Sequence, residues 1–334
     1  MRDTAFDLIS LTRQLVDIPS VTGQEREIGD FLFQLLNDED WTCTRQPVAV
    51  ERFNLLALQG RSPVLLTTHI DTVPDFFPSS EDENFVYGRG ACDAKGIAAS
   101  MICAAQELSH QGVGGVGLLF VIGEETDSIG ATKAKDLELD CSFIINGEPT
   151  DNELVVGHKG IVHACISVEG VAAHSAYPEQ GESAIEKLMD FLSMLRQTTF
   201  PSDAHLGMSH LNIGKIKGGK AVNVLAASAQ AEILIRTVTK SERYIQLLHR
   251  LSDSVCNIKI LKTSEPQKME AVEGFPTKVV GYGTDIPVLR KLGRPLLFGP
   301  GSILEAHTVQ EKISKQQLFD AVKHYQTLVR ELLV

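Results

Sequence analysis

The sequence predicts an α/β protein in which a mainly parallel sheet is flanked by helices and a smaller domain is inserted. Short apolar strands alternate with helical segments in the first half of the chain, and this alternation returns near the carboxyl terminus. The segment between them follows the order β-α-β-β-α-β, which is the ferredoxin-like pattern. A chain of 334 residues is long enough to form two domains. We therefore expect a discontinuous larger domain, residues 1–160 and 269–334, and an inserted domain, residues 161–268.

The larger domain is predicted to begin with a helix, because Leu8, Leu11 and Leu15 lie at helical spacing. Three apolar runs then predict buried strands, at residues 64–67, 117–122 and 142–145. The alanine-rich segment 94–108 lies between the first two runs and predicts a helix. The end of the chain predicts a helix, a strand and a terminal helix, at residues 282–292, at residues 295–298 and from about Lys315.

The inserted domain begins with residues 161–168, which alternate in hydrophobicity like a half-buried strand. Ser183 and Glu186 have the spacing of a capping box. A stripe of apolar residues at helical spacing follows: Ile185, Leu188, Met189, Leu192 and Leu195. A second helix is predicted around Leu248, and the remaining strands are predicted at residues 211–216, 231–237 and 257–261.

Composition excludes several classes of partner. The formal net charge of −12 argues against a nucleic-acid partner and against an anionic membrane surface. No apolar run approaches the length that crosses a membrane, and the amino terminus lacks the continuous apolar stretch of a signal peptide. The six cysteines form no CxxC motif and no regular framework. We therefore expect a reduced, cytoplasmic protein.

Polar side chains follow each predicted strand of the larger domain. They are His69 and Asp71, Glu124 and Glu125, Glu148, and His307, while Asp93 precedes the alanine-rich helix. Each has an ordinary alternative: the His69–Asp71 pair could cap a strand end, and Glu124–Glu125 could be a solvated acidic loop. In an open parallel sheet, however, ligands bind beyond the carboxyl ends of the strands. We therefore expect these segments to converge on one crevice.

Histidine and carboxylate ligands without thiolates are typical of a catalytic zinc, cobalt or manganese site. A pair of metal ions needs one bridging carboxylate, one histidine each and one terminal carboxylate each. Five residues fill this scheme: His69, Asp93, Glu125, Glu148 and His307. Adjacent residues in an extended segment point in opposite directions, so Glu124 stays free to take a proton from the attacking water. Asp71 can accept the second ring N–H of His69.

Five motifs, THID, GRGACDAKG, GEET, NGEP and the final AH, together resemble a known family. It is the family of co-catalytic zinc peptidases that includes acetylornithine deacetylase, succinyl-diaminopimelate desuccinylase, carboxypeptidase G and aminoacylase. The resemblance covers nearly the whole chain, with the motifs in the same order. It implies two zinc ions, with cobalt or manganese as substitutes. It also implies these roles: His69 and Glu148 on one zinc, Glu125 and His307 on the other, Asp93 bridging them, Asp71 beside His69, and Glu124 as general base.

The resemblance also extends to the inserted domain. GVAAHSAYP is similar to the motif of a lid whose histidine reaches into the partner subunit's active site. This implies a homodimer formed through the inserted lid domain, with His174 stabilising the tetrahedral oxyanion. Asn223 and Arg236 match positions associated with substrate binding in the family. Gly283 and Thr284 match the start of a Gly-Thr-Ser-Asp run, but the serine is missing from this chain, which leaves the substrate contacts there open.

The segment FGPGSILEAH resembles the acetylornithine deacetylase branch. This implies that the protein removes an acyl group, acetyl first, from an N-acyl amino acid such as N-acetylornithine, a reaction of arginine biosynthesis. Succinyl-diaminopimelate desuccinylase and dipeptidase or carboxypeptidase activity share the metal site, so the sequence separates them poorly. A catalytically silent metal-binding dimer would lack Glu124 or a ligand, and none is missing. A small-molecule binding protein with the same crevice would bind ligand without turnover.

Overall fold

A computed structural model describes residues 6–39, 41–252 and 255–334 of the chain. It divides into two compact units. Unit 1 comprises Met1–Val156, Met269–Lys278 and Thr284–Val334, and unit 2 comprises Gly157–Lys268 and Val279–Gly283. Residues 1–5 and 40 of the predicted larger domain, and residues 253 and 254 of the predicted inserted domain, lie outside the described residues.

The helices are α1 (Leu8–Asp17), α2 (Arg26–Asn37), α3 (Gly96–His110), α4 (Ile129–Ala134), α5 (Ala184–Gln197), α6 (Ser241–Ser252), α7 (Ile286–Leu289) and α8 (Lys315–Leu333). The strands are β1 (Thr42–Ala49), β2 (Arg52–Leu58), β3 (Val64–His69), β4 (Ser80–Glu81), β5 (Phe85–Tyr87), β6 (Val116–Val121), β7 (Phe143–Asn146), β8 (Leu154–His158), β9 (Gly160–Glu169), β10 (Ser202–Asp203), β11 (Gly207–Met208), β12 (His210–Gly218), β13 (Ser228–Thr237), β14 (Asn257–Ser264), β15 (Gln267–Lys268), β16 (Thr277–Val280), β17 (Arg294–Leu297) and β18 (Lys312–Ser314). Within the described ranges, no helix is both long and apolar enough to cross a membrane.

Unit 1 is built on a six-stranded sheet with the order β1-β2-β6-β3-β7-β17. The strands β6, β3, β7 and β17 run parallel to one another, while β2 pairs antiparallel with both β1 and β6. The parallel strands are the three apolar runs and the PLLF strand of the sequence. The predicted α/β class with a mainly parallel sheet is therefore confirmed, and the hairpin β1–β2 adds an antiparallel edge that was not predicted.

Both faces of this sheet are covered, as the continuous apolar run of β3 requires. Val64 and Leu66 of β3 pack in one buried cluster with residues of α1, α3 and α8. Leu65 faces the other way and packs with residues of α4 and α7. Because successive side chains of a strand point to opposite faces, a run without polar interruption is the pattern of a strand buried between two layers.

Unit 2 contains a four-stranded antiparallel sheet with the order β12-β13-β9-β14. Apart from short strands, its elements follow the order β-α-β-β-α-β. Alternate residues of β9, from Val162 to Val168, are buried with the apolar stripes of α5 and α6. The Ser183 hydroxyl accepts the backbone N–H of Glu186 and caps α5, as its sequence spacing predicts. Unit 2 includes Val279–Gly283 in addition to Gly157–Lys268, and the bounds 161–268 for an inserted domain stay a prediction.

The predicted helix at 282–292 is wrong in length, because only Ile286–Leu289 is helical. Pro287 lies in the first turn of this helix, where its missing N–H is tolerated. Gly293 then begins the approach to β17, so a single turn is all that forms. Helix α2 was missed, although Ile28, Leu32 and Leu36 lie at helical spacing and are buried.

Candidate metal centre

The sheet of unit 1 delivers the predicted site residues to one edge. His69 is the last residue of β3, Glu124 and Glu125 follow β6, and Glu148 follows β7. Since these three strands are parallel and adjacent, their carboxyl ends lie side by side. Asp93 arrives from a tight turn at residues 91–95 that leads into α3.

Gly147 allows α3 to approach the end of β7. A Cβ atom added at Gly147 would lie 2.4 Å from Cγ2 of Ile97, which is closer than side-chain atoms approach. The missing side chain therefore lets the first turn of α3 pack against the residue that precedes Glu148. This contact brings the turn that carries Asp93 next to the end of β7.

The first cluster of potential ligands consists of His69, Asp93 and Glu148, all buried. One nitrogen or oxygen atom from each lies within 4.8 Å of those from the other two. Nε2 of His69 is 3.0 Å from Oδ1 of Asp93. The opposite ring nitrogen, Nδ1, is 2.9 Å from the backbone carbonyl of Asp71, so the ring is held at both ends.

The second cluster consists of Asp93, Glu125 and His307. Nε2 of His307 lies 3.0 Å from the Glu125 carboxylate and 3.4 Å from Oδ2 of Asp93. Asp93 therefore turns one oxygen toward each cluster. His307 has a φ of 62°, a conformation that costs about 1–3 kcal/mol for a residue with a side chain and that is concentrated at functional sites.

The electrostatics of the two clusters favour bound cations. Hydrogen bonds to Asp93 and Glu125 raise the pKa of His307 to about 10. Burial opposes a charge on His69, but the nearby carboxylates of Asp71 and Asp93 raise its pKa well above the ordinary value. Burial, and then the repulsion of Glu124 and Asp93, raises the pKa of Glu148. Burial opposes a charge on Asp93 as well, but hydrogen bonds from His307 and His69 lower its pKa. Within the clusters a bound cation would therefore replace the protons of Glu148 and of the two histidines.

The donor set fits a pair of zinc ions. Each cluster offers one imidazole nitrogen and carboxylate oxygens, and they share one carboxylate. The nearby thiol of Cys92 does not join them, because its sulfur is directed at the carbonyl of Ser302 at 3.3 Å. The five residues expected to bind metal are therefore brought together in this geometry.

Glu124 is half-buried beside the clusters and belongs to neither of them. Burial raises its pKa well above the ordinary value, and the nearby negative charge of Asp285 raises the pKa further. A carboxylate with a raised pKa holds a transferred proton better than an ordinary glutamate. Glu124 and Glu125 lie in a turn and not in the extended segment from which their divergence was expected, so another backbone geometry separates the two side chains.

Asp71 contacts His69 differently from what the sequence predicts. The ring N–H of His69 meets the backbone carbonyl of Asp71, while the carboxylate Oδ1 is 3.6 Å from the ring nitrogen. The Asp71 carboxylate instead accepts the backbone N–H groups of Glu124 at 3.1 Å and Glu125 at 3.2 Å. It also accepts the hydroxyl of Thr22 at 2.8 Å. Asp71 therefore fastens the acidic turn after β6 to the end of β3.

Within unit 2, His174 is exposed, and its Nδ1 accepts the backbone N–H of Ala176 at 3.1 Å. In the neutral ring this bond leaves the proton on Nε2. The carbonyl of Asn223 accepts the N–H of Ser175, which keeps the two loops adjacent. Arg236 lies in β13, where it is half-buried, and burial lowers its pKa.

Gly283 and Thr284, which the sequence predicts as substrate contacts, have few neighbours or a local structural role. Gly283 has no atom within 4 Å of where a Cβ would lie. The hydroxyl of Thr284 accepts the backbone N–H of Ile286 and so supports the start of α7. Sequence reasoning missed Glu311, which is buried and contacts the Asp93 turn, because one acidic residue in an otherwise polar segment gives no local signal.

Comparisons with known proteins agree with this geometry. Residues 65–331 match the peptidase family M20/M25/M40. A peptidase M20 domain-containing protein of Schizosaccharomyces pombe is 42% identical over 337 residues, which cover 97% of this chain and 84% of that protein. A probable carboxypeptidase of Aspergillus clavatus is 36% identical, covering 98% of this chain and 89% of that protein.

A solved structure has the same fold. The tripeptidase from Staphylococcus aureus superposes with a TM-score of 0.84 at 21% identity, and the match covers 97% of each chain. The family match and the sequence identities agree with the resemblance drawn from the five motifs. The chain therefore belongs to the peptidase family M20/M25/M40 and is a hydrolase of amide bonds.

Proposed function

We propose that the protein is a two-metal amide hydrolase that releases an amino acid carrying a free carboxylate. The observation that carries this proposal is the position of Asp93, whose two oxygens face two clusters of histidine and carboxylate. His69 and Glu148 would hold one zinc ion, Glu125 and His307 the other, and Asp93 both. When bound, a pair of zinc ions acidifies a water molecule and polarises the amide carbonyl.

Glu124 is the general base in this proposal. Its carboxylate takes the proton of the attacking water and delivers it to the nitrogen of the leaving amine. Two features support the role: the side chain belongs to neither cluster, and burial raises its pKa. Asp71 orients this base, because its carboxylate holds the backbone of Glu124 and Glu125.

For the remaining roles we propose residues whose motifs resemble those of the family. The Nε2–H of His174 is available to donate to the developing oxyanion, since Nδ1 is occupied by Ala176. Arg236 would grip the substrate carboxylate with its planar guanidinium. Asn223, Gly283 and Thr284 are proposed as additional substrate contacts, on the strength of the motif resemblance alone.

We propose a homodimer formed through unit 2, which would act as a lid and dimerisation domain. β12 is one of the two edge strands of its sheet, and Ile216 in this strand is 61% exposed. An exposed edge strand with an apolar side chain is suited to pairing with a second copy. All six cysteines are free, which supports the proposed location in the reducing cytoplasm.

Two classes of substrate are consistent with the proposed reaction. The FGPGSILEAH segment supports an N-acyl amino acid such as N-acetylornithine, and with it the acetylornithine deacetylase branch and a role in arginine biosynthesis. The relative named a probable carboxypeptidase supports short peptides cleaved at their carboxyl-terminal residue. N-succinyl-diaminopimelate remains a further acylated substrate of the same class.

A substrate panel separates these activities. The zinc-loaded protein is incubated with N-acetyl and N-succinyl amino acids, with dipeptides and tripeptides, and with the same peptides amidated at the carboxyl terminus. Released amine is the readout. We expect hydrolysis of substrates with a free carboxylate and loss of activity on amidated ones. Equal activity on amidated peptides would rule out the carboxylate requirement, and no release from any substrate would rule out the amidohydrolase proposal.

A further inference from the structure

Glu311 is a buried carboxylate four residues after His307, and it belongs to neither ligand cluster. Its Oε1 accepts three backbone N–H groups of one turn: Gly90 at 3.0 Å, Cys92 at 3.1 Å and Asp93 at 3.0 Å. Several main-chain donors that converge on one oxygen form an anion-binding concavity. The occupant of this concavity is a side chain of the protein itself.

The charge of Glu311 is balanced by Arg89. Nη1 of Arg89 donates to Oε2 of Glu311 at 2.7 Å, and both side chains are buried. Arg89 is itself fixed, because its Nε donates to the carbonyl of Asp75 and its guanidinium lies 5.2 Å from the centre of the Phe77 ring. A buried charge is tolerated when it is paired and fully hydrogen-bonded, and Glu311 meets both conditions.

Glu311 also joins two chain segments that carry ligands. Its carboxylate holds the turn of Asp93, and its backbone carbonyl accepts the N–H of Gly88 at 3.0 Å. The following strand, β18, pairs with β5 immediately before that turn. His307 and Asp93 are therefore connected through one residue, in addition to the contact between their own side chains.

We propose that Glu311 is a positioning residue that holds Asp93 with one oxygen toward each cluster and thereby sets the affinity of both metal ions. This inference rests on the proposed two-metal function. Glu311 fixes the main chain of Asp93, and the carboxylate of Asp93 stays free to face the two clusters. If Glu311 were removed, three buried N–H donors would lose their acceptor, and the turn would have to shift to satisfy them. A shift of the shared ligand would weaken both sites together.

The test compares E311Q and E311A with a matched control, D203N. Glutamine keeps an acceptor oxygen for the three N–H groups but turns an amide donor toward Arg89. Alanine removes every hydrogen bond of the Glu311 carboxylate. Asp203 in unit 2 resembles Glu311, because it accepts the backbone N–H groups of His205 and Leu206 and pairs with Lys268, but it lies on no ligand segment.

For each variant we would measure Zn²⁺ affinity by competition with a chromophoric chelator, the visible absorption of the Co²⁺-substituted protein, and the thermal midpoint of the metal-free protein. Changes in groups that support metal ligands typically weaken binding by about 10–100-fold. We expect E311Q near the lower end and E311A near the upper end of that range, with an altered Co²⁺ spectrum. D203N should lower the thermal midpoint and leave Zn²⁺ affinity and the spectrum unchanged.

Unchanged Zn²⁺ affinity and an unchanged Co²⁺ spectrum in E311Q would overturn the proposal, whatever the thermal midpoint. If E311Q does not fold, R89K provides the test, since lysine keeps the charge but lacks the two separate nitrogens with which Arg89 contacts Glu311 and the Asp75 carbonyl. Weaker Zn²⁺ binding by R89K would support the proposal, and binding equal to the unaltered protein would overturn it. Metal binding is measured without substrate, so a failure of the hydrolase assignment would show separately, as absence of turnover in a protein that binds Zn²⁺.

Discussion

The backbone N–H of Glu124 donates to the carboxylate of Asp71 at 3.1 Å, which joins the end of β6 to the end of β3. Asp71 lies two residues after His69, and its backbone carbonyl holds the ring of that histidine. One residue therefore positions a proposed metal ligand with its main chain and the proposed base with its side chain. We therefore expect a substitution of the Asp71 side chain to disturb the position of Glu124 more than that of His69.

The first prediction concerns D71N. An asparagine turns an NH₂ group toward at least one donor that Asp71 now accepts, so the acidic turn loses part of its anchor. We expect kcat to fall by about 10–100-fold, as is usual when a supporting hydrogen bond at a metal site is lost. The free energy of unfolding of the metal-free protein should fall by about 1–3 kcal/mol, the cost of an unsatisfied buried group. Steady-state kinetics and urea unfolding measure these effects.

T22V is the control for D71N, because it removes only the Thr22 hydroxyl from the Asp71 carboxylate and leaves both backbone bonds. We expect a smaller loss of kcat in T22V. Equal losses in the two variants would contradict the role of the backbone bonds.

The second prediction separates the base from the ligands. E124A should lower kcat by about 10²–10⁴-fold, the usual contribution of general acid–base catalysis. It should still bind two zinc ions per chain, because Glu124 belongs to neither cluster. In contrast, E125A should lose metal as well as activity. Elemental analysis of the dialysed proteins gives the metal content, and full activity in E124A would exclude Glu124 as the base.

The third prediction concerns pH. In the metal-free protein His307 has a pKa of about 10, owing to its hydrogen bonds with Asp93 and Glu125. Burial and neighbouring negative charge also raise the pKa of Glu148. Near neutral pH a metal ion must therefore displace protons from its ligands. Zn²⁺ binding therefore releases protons, and the apparent Zn²⁺ affinity rises with pH.

Calorimetric titrations with Zn²⁺ in buffers of different ionisation enthalpy count these protons. H307A should release fewer protons per metal ion than the unaltered protein. Binding without any proton release, or an affinity that falls as pH rises through neutrality, would contradict the description of the site.

The fourth prediction tests the proposed dimer. I216D places a charge on the exposed edge strand of unit 2, where it should prevent pairing with a second copy. Light scattering should then give the mass of a monomer. If His174 acts in the partner's site, kcat should fall as well. V50D alters a residue of unit 1 that is 90% exposed and should leave the mass unchanged, and a dimer that persists in I216D would exclude this edge as the interface.

The α/β class could be predicted because the apolar patterns of its strands and helices are visible in short stretches of sequence. The run from Val64 to Thr67 has no polar face, so it had to be buried on both sides. The helix predicted at residues 282–292 was too long, because the apolar spacing around Pro287 suggested a longer helix than the chain forms. In the hairpin β1–β2, β1 is largely polar and gave no strand signal, whereas the apolar run of β2 at residues 55–58 was overlooked.

Position after an apolar strand was enough to select His69, Glu125 and Glu148 as neighbours, because strand ends in a parallel sheet meet at one edge whatever lies between them. Asp93 and His307 lie at no strand end, and they were selected by residue type and by the motifs around them. Two other contacts become visible in the folded chain alone: the main chain of Asp71 contacts His69, and Glu311 holds the turn of Asp93. Glu311 and Arg89 are 222 positions apart, and their meeting depends on how the whole chain closes around the sheet, which no local pattern encodes.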